Sequence, residues 1–338
     1  MDIPIQNVYF LLCYAWDKLE EKELVDVDPV GITSLIDLFA RVLVTGTGHV
    51  LKRGFDRNYV AYDEWTGRLR GKVRFDVIAK TGTATATLPC EFDELSYDVL
   101  HNQILKATIR RLIRTDAIST ENADALLGLS RQLSDVRDIE ITSRLFGQVQ
   151  LHRNNRFYDF LMKVCELIHR NLLISESPGR SRFRDFTRDR QQMAVLYESF
   201  VRNFYRLHSR YRVKREDIRW NWVAADQVSA GLLPKMQTDV SLVADDRKII
   251  IDCKYTPEAT QHHYTAETLR SAHLYQINAY LANLPESEAK CEAILLYPTV
   301  DSPLSASYMN KGHKVSIQTI NLNQPWQGIH DELLALVA

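Results

Sequence analysis

The sequence predicts an α/β protein (α+β overall), with a C-terminal mixed sheet flanked by helices and an N-terminal α+β domain carrying a small antiparallel sheet. Three observations carry that expectation. Two strand-like stretches, Met236 to Val243 and Lys248 to Tyr255, flank Ala244-Asp245-Asp246-Arg247 as in a hairpin. A helical stretch from about Ala266 to Asn283 then leads to the buried-type strand Ala293 to Tyr297, which reads as a helix-mediated crossover. Upstream, Met193, Leu196, Tyr197, Phe200, Val201 and Phe204 recur at the spacing of an amphipathic helix. The chain has 338 residues, about twice one domain, and 45% of them are hydrophobic, enough for two cores.

In order along the chain, helices are expected from Val8 to about Leu19 and from Ser34 to Val44, where Leu35, Leu38, Phe39 and Val42 share a face. Tyr59 to Tyr62, Lys72 to Ile78 and Thr83 to Leu88 are rich in Val, Thr and aromatic residues and interrupted by Gly67, Gly71 and Gly82, so they read as antiparallel strands. Helices follow from Asp98 to about Thr115 and from Ala123 to Gln132. The polar segment His152 to Arg156 marks the expected domain boundary, dividing residues 1–152 from 153–338. Beyond it come a helix from Phe157 to about Leu173, a loop at Ser175 to Gly179, and a strand at Trp220 to Val223.

Composition excludes several classes. A net charge of -1 is unlike a protein that coats nucleic acid with its whole surface, so any such contact must come from local clusters. Five scattered cysteines with no CxxC pair indicate neither a disulfide framework nor a zinc site. The start lacks a basic leader, and no apolar run reaches the roughly 18 residues of a membrane span, so the chain reads as cytoplasmic and free of membrane. Gly67 to Gly71-Lys72-Val73 has the wrong spacing for a phosphate-binding loop, so GTP or ATP, if used, is bound by a partner.

The hairpin carries the chemistry. Alternation places Gln237, Asp239 and Ser241 on one face of the first strand, opposite Met236, Thr238, Val240 and Leu242. On the second strand Ile250, Asp252 and Lys254 share a face, so a carboxylate and an ammonium stand together at the end of an isoleucine run. Two carboxylates and an amine suit phosphodiester hydrolysis. Magnesium takes oxygen ligands from one or two carboxylates, and a neighbouring lysine can orient or deprotonate a water. An ordinary surface ion pair between Asp252 and Lys254 is the competing reading. On the following helix Gln276 and Tyr280 lie one turn apart, away from the stripe of Leu274, Ile277, Leu281 and Leu284, where they could bind phosphate or position water or simply be solvated. Glu198, at the edge of the amphipathic stripe, is either a further acidic metal ligand or a solvated glutamate.

Pro234 to Asp239, Asp252-Cys253-Lys254 and Gln276-x-x-x-Tyr280 resemble the PD-(D/E)xK nuclease superfamily, including the helix motif of its RecB-like branch. Ile3 to Trp16, Asn102 to Lys106, Leu232 to Val240, Asp252 to Tyr255 and Leu274-Tyr275-Gln276 resemble the McrC family, the nuclease subunit of the McrBC modification-dependent restriction system. The likeness runs from residue 3 to the C-terminal helix. It implies a restriction-endonuclease-like C-terminal domain in which Asp239 and Asp252 hold Mg2+ and Lys254 assists the attacking water. It also implies a partner, an AAA+ GTPase ring resembling McrB that binds GTP and recognises modified cytosine in double-stranded DNA, and an N-terminal domain that stimulates that ring. Two positions depart from the family: Cys253 stands where Ala is usual, and Gln237 where a relative has Glu.

Two basic groups remain. Arg53, Arg57, Arg68, Arg70, Lys72 and Arg74 surround the small sheet and could touch a partner, its nucleotide or DNA, or be solvated. Arg180, Arg182 and Arg184, interleaved with Phe183 and Phe186, could grip a DNA backbone, although Asp185 and Asp189 could neutralise them. His262-His263 reads as loop, since adjacent residues rarely share one ion. The leading expectation is thus a GTP-driven endonuclease subunit. The alternatives are a non-catalytic activator that binds DNA and a stand-alone DNA-repair nuclease.

Overall fold

The computed structural model describes residues 3–19, 32, 34–81, 86–152, 155–174, 181–256, 260–263, 266–285, 291–300 and 303–338. They form two compact units, one of Met1–Lys22 with Asp185–Ala338 and the other of Glu23–Arg184. The division therefore falls at two places, neither of them at 152. The reason lies in the first helix, α1 (Ile5–Ala15), whose residues Asn7 to Tyr14 are all buried. A helix apolar on every side is a core element, and α1 packs against a helix of the C-terminal half. The polar stretch near 152 is a local loop, and Arg153 and Asn154 within it lie outside the described residues.

The inserted unit contains α2 (Leu35–Arg53), β1 (Asn58–Thr66), β2 (Lys72–Val73), α3 (Phe75–Thr81), β3 (Leu88–Ser96), α4 (Leu100–Ile113), α5 (Thr120–Gln132), α6 (Ser143–Phe146), α7 (Arg156–Asn171), β4 (Leu172–Ile174) and β5 (Ser181–Phe183). The small antiparallel sheet has the order β1-β3-β2. Gly71 is obligatory there, because φ is +54° and a Cβ would sit 2.3 Å from the Glu91 carbonyl oxygen. The expected strand from Lys72 to Ile78 lasts two residues and becomes α3, whereas β3 begins at Leu88, and residues 83–85 of the strand expected there lie outside the described residues. Asp37, at the start of α2, anchors α5: its carboxylate accepts from the Ser119 backbone N–H, the Ser119 hydroxyl and Asn122 Nδ2.

The other unit continues with α8 (Arg190–His208), β6 (Arg212–Lys214), β7 (Asp217–Ile218), α9 (Gln227–Gly231), β8 (Met236–Gln237), β9 (Val240–Val243), β10 (Lys248–Cys253), β11 (Thr260–His263), β12 (Ala266–Leu269), α10 (Ser271–Ala282), β13 (Glu292–Thr299), β14 (Ser305–Asn310), β15 (His313–Asn321) and α11 (Trp326–Ala335). Its sheet has the order β14-β15-β13-β10-β9-β6. The β10–β13 and β13–β15 pairs are parallel and the remainder antiparallel, so the sheet is mixed as expected. Isoleucines 249, 250 and 251 of β10 are wholly buried, as a central strand covered on both faces requires. One face carries Ile250, Ala293, Leu295 and Tyr297 against Ile277, Tyr280 and Leu281 of α10. α8 packs on β6, β9 and β10, and α1 packs on α8, where the rings of Tyr14, Phe200, Phe204 and Trp326 meet tilted or edge-on.

Three local expectations need correction. Trp220 to Val223 forms no strand; β7 ends before it at Ile218. The helix expected from Ala266 starts at Ser271, since Ala266–Leu269 pairs with Thr260–His263 as a hairpin. The strand expected from Met236 to Val243 is broken at Thr238 and Asp239, with β8 pairing β7 and β9 pairing β10. The side chains of His262 and His263 lie outside the description. No helix among the described residues is long and apolar enough to cross a membrane.

Candidate active site

The break between β8 and β9 builds the site. Strict alternation would put Met236 on the same face as Val240, but Met236 joins the core beneath α10 with Ile250. The bend is pinned by hydroxyls: Thr238 Oγ1 lies 2.9 Å from Ser241 Oγ, and it also accepts from the Glu216 N–H at 3.0 Å. Asp239 then turns toward the end of β10, where its Oδ2 accepts from the Cys253 N–H at 2.8 Å. Asp252 is on the same face of the sheet, since Ile250 pairs with Ser241 and side chains two apart share a face.

Asp252 is fully buried, and Lys254 Nζ lies 2.6 Å from its Oδ2. The carboxylate of this pair is thus buried and its ammonium only partly exposed, unlike an ordinary surface pair. The Lys254 N–H continues the parallel ladder to the Leu296 carbonyl at 2.9 Å, which holds the strand tip straight. Asp252 Oδ1 has no hydrogen-bond partner among the described residues. A buried, unpartnered carboxylate oxygen could hold a cation.

The electrostatics agree. Burial first, then the adjacent Asp252, pushes Asp239 from an ordinary 3.8 to about 7, although the Cys253 N–H pulls the other way. Burial likewise raises Asp252, against the opposing pull of Lys254. Both shifts favour protonation in the metal-free protein. The folded state therefore holds protons that the unfolded chain has released, and stability falls as pH rises from about 4 to about 7. Thermal melts in chelator are expected to show that decline, and Mg2+ at neutral pH is expected to reverse it. Melting temperatures that rise over this interval in chelator contradict the assignment.

Gln276 and Tyr280 reach the site in a manner the sequence did not foresee. Lys254 Nζ donates to Gln276 Oε1 at 2.8 Å, Gln276 Nε2 donates to the Tyr280 hydroxyl at 2.7 Å, and that hydroxyl donates to the Gln237 carbonyl at 3.0 Å. The Tyr280 ring is buried in the core and not on a solvated face. The chain of donors fixes the Lys254 ammonium and ties it to the backbone just before Asp239. Gln237 itself donates to Asp217 at 2.6 Å, so its departure from an acidic residue leaves it outside the carboxylate pair.

Glu198 is held differently from a free metal ligand. Its carboxylate is paired with Arg202 at 2.8 Å and Arg215 at 3.3 Å, while Arg202 also donates to the Asp239 carbonyl at 3.3 Å. The Glu198 charge still reaches Asp239 and Asp252 and raises both, while among the described residues no three acidic, histidine or cysteine side chains assemble around one ion position. Arg202 was missed from sequence, although its i+4 spacing from Glu198 is the signal that could have found it. Cys253 points toward α8, near Tyr197 and Tyr205, and stays out of the site.

The basic groups belong to the other unit. Arg180 lies outside the described residues, and Arg182 and Arg184 are exposed within the inserted unit. In the same unit Arg74 is committed to Asp63 at 2.7 Å and Asp76 at 2.8 Å, and Arg70 to Glu94 at 3.3 Å. Arg53 lies 3.5 Å from His49 Nε2, and Arg57 sits over the Tyr97 ring. Arg68 and Lys72 are exposed.

Comparison with known proteins follows the same lines. A family model described as McrBC 5-methylcytosine restriction system component matches residues 8–298. The chain is 30% identical over 342 residues to the type IV methyl-directed restriction enzyme EcoKMcrBC of Escherichia coli K12, covering 98% of this chain and 96% of the relative. Among solved structures, a chain of the Thermococcus gammatolerans assembly of McrB AAA+ hexamers with bound McrC superposes with a TM-score of 0.63 at 17% identity, covering 99% of this chain and 76% of that one. At that identity the superposition speaks for the fold. Matched over most of its length, the chain belongs to the family of McrBC 5-methylcytosine restriction system components.

Proposed function

We propose that this chain is the nuclease subunit of its restriction system, hydrolysing DNA phosphodiester bonds with Mg2+ at Asp239 and Asp252. The observation that carries the reading is the buried Asp252 carboxylate, with one oxygen facing Lys254 and the other unpartnered beside a second carboxylate. The donor set suits magnesium, a hard cation that accepts one or two carboxylates and keeps its remaining positions for water and phosphate oxygens. A bound Mg2+ supplies charge neutralisation at phosphorus and a more acidic water.

The protein's own residues do the rest. Asp239 and Asp252, held by the Cys253 N–H and by burial, keep two acceptors fixed before any ligand arrives. Lys254 orients the attacking water, and its positive charge favours the hydroxide form of that water. Gln276 restricts Lys254 to one geometry, and Tyr280 secures Gln276. Arg202 holds the Asp239 carbonyl and so steadies the bend.

The solved relative pairs McrC with McrB AAA+ hexamers, and the family concerns 5-methylcytosine restriction. By that kinship the partner of this chain is an McrB-like GTPase ring that binds GTP. The substrate is double-stranded DNA bearing modified cytosine, cut in the cytoplasm, and the Glu23–Arg184 unit stimulates the ring.

The test mixes the chain with its cognate GTPase, GTP, Mg2+ and methylated duplex DNA. Wild type is expected to cut, and Lys254→Ala to cut about 100-fold more slowly or less, as for loss of a group that acts on the water. Equal rates for the two proteins would remove Lys254 from the mechanism, and no cutting by wild type would remove the function.

A further inference from the structure

The unit Glu23–Arg184 contains a cleft of about 530 Å³. One wall is a single face of α4 and its cap, where Ala107, Arg110, Arg111 and Arg114 follow the i, i+3, i+4, i+7 spacing. The facing wall is the extended segment from Asp138 to Ile141, and His169 of α7 closes one side.

The charges in this cleft do not balance. Arg110 pairs with Asp138, and Lys106 lies 3.6 Å from the same carboxylate, so that acid is engaged. Arg111 is half-buried, and its guanidinium donates to His169 Nδ1 at 2.9 Å. The imidazole must be neutral to accept that bond, and burial together with the adjacent Arg111 lowers the His169 pKa accordingly. Among the described residues no carboxylate pairs with Arg111 or Arg114, and the remaining acid of the cleft, Glu140, forms no ion pair with either. Cations at a helix C-terminus are ordinarily favourable, by about 0.3–1 kcal/mol, and this accounts for an exposed Arg114. It does not account for a half-buried guanidinium on the cleft wall that donates to a neutral ring and pairs with no carboxylate among the described residues.

We propose that this cleft binds the phosphate of a nucleotide unit, with Arg111 and Arg114 donating to its oxygens. Guanidinium forks match a phosphate in charge and geometry. The space is far larger than a bare phosphate and falls in the usual range for small-molecule sites, about 300–1,000 Å³. Ala107, Ile139 and Ile141 supply apolar lining beside the arginines, as a sugar or base requires. The phosphate can come from a free mononucleotide or from a nucleic-acid strand. The site belongs to the inserted unit and does not depend on the metal-binding reading of Asp239 and Asp252.

The experiment is hydrogen–deuterium exchange on the full chain, with deoxycytidine monophosphate in one arm and a short DNA duplex in the other. Either probe is expected to protect residues 107–114 and 138–141. Protection by the mononucleotide assigns the free source, and protection by the duplex alone assigns the strand. Arg111→Gln and Arg114→Gln are each expected to weaken that protection about 10-fold in ligand concentration, the loss of one charged hydrogen bond. Arg114 is exposed, so its variant tests the site even if Arg111→Gln perturbs folding, and a melt checks both. Protection absent with both probes, or unchanged in Arg114→Gln, would overturn the proposal.

Discussion

Asp252→Ala is expected to abolish DNA cleavage, by roughly 10³-fold or more, while leaving stimulation of the partner's GTP hydrolysis intact. The carboxylate is fully buried, touches Lys254, and stands with Asp239 at the end of β10. Its removal takes away half of the carboxylate pair. The same change relieves a burial penalty, since burial holds the Asp252 pKa above its usual value. Asp252→Asn keeps the shape and removes the charge, so in chelator it is expected to melt no lower than wild type, as sites strained for function often do. Loss of activity together with retained or increased stability is the signature of a functional carboxylate. Cleavage that persists in Asp252→Ala, measured on methylated duplex with GTP and partner, would return the protein to the non-catalytic activator reading.

Removing residues 1–152 is expected to prevent the C-terminal body from folding, instead of releasing an independent nuclease. α1 contributes Val8, Tyr9, Leu11, Leu12, Cys13 and Tyr14 to the core of the unit that holds the candidate site. At about 1.5–3 kcal/mol for each large apolar side chain, their loss is on the order of 10 kcal/mol, comparable with the whole stability of a domain. Asn7 adds two further ties, donating at 2.9 Å to the Leu322 and Gln324 carbonyls. A fragment covering 153–338 is therefore expected to be insoluble or to melt without cooperativity. A chain in which residues 1–22 are joined to 185–338 is expected to recover a cooperative transition by calorimetry. A cooperative melt from the 153–338 fragment alone would refute the assignment of α1 to this body.

Much of this was legible from residue order. The hairpin of β9 and β10, the amphipathic α8 and the strand β13 each declare themselves through a local period, because apolar faces repeat where a neighbouring layer will cover them. Errors cluster where local signals compete. Lys72 to Ile78 has strand-like composition but turns helical after two residues, and Ala266–Leu269, a four-residue strand just ahead of a helix, is too short to show a period of its own.

Identity and spacing in the chain determined which groups are available for chemistry: two aspartates, a lysine, and a glutamine and tyrosine one helical turn apart. Tertiary structure alone decided how they are used. It bent the strand at Thr238 so that Asp239 meets Asp252, gave Glu198 to two arginines, and hung Lys254 from Gln276 and Tyr280. It also carried α1 across the sequence into the body that begins again at Asp185. The physical reason is common to all four. A local pattern reports how a segment buries its own apolar face, whereas the partner that compensates a buried charge or covers a helix comes from residues far away in the chain.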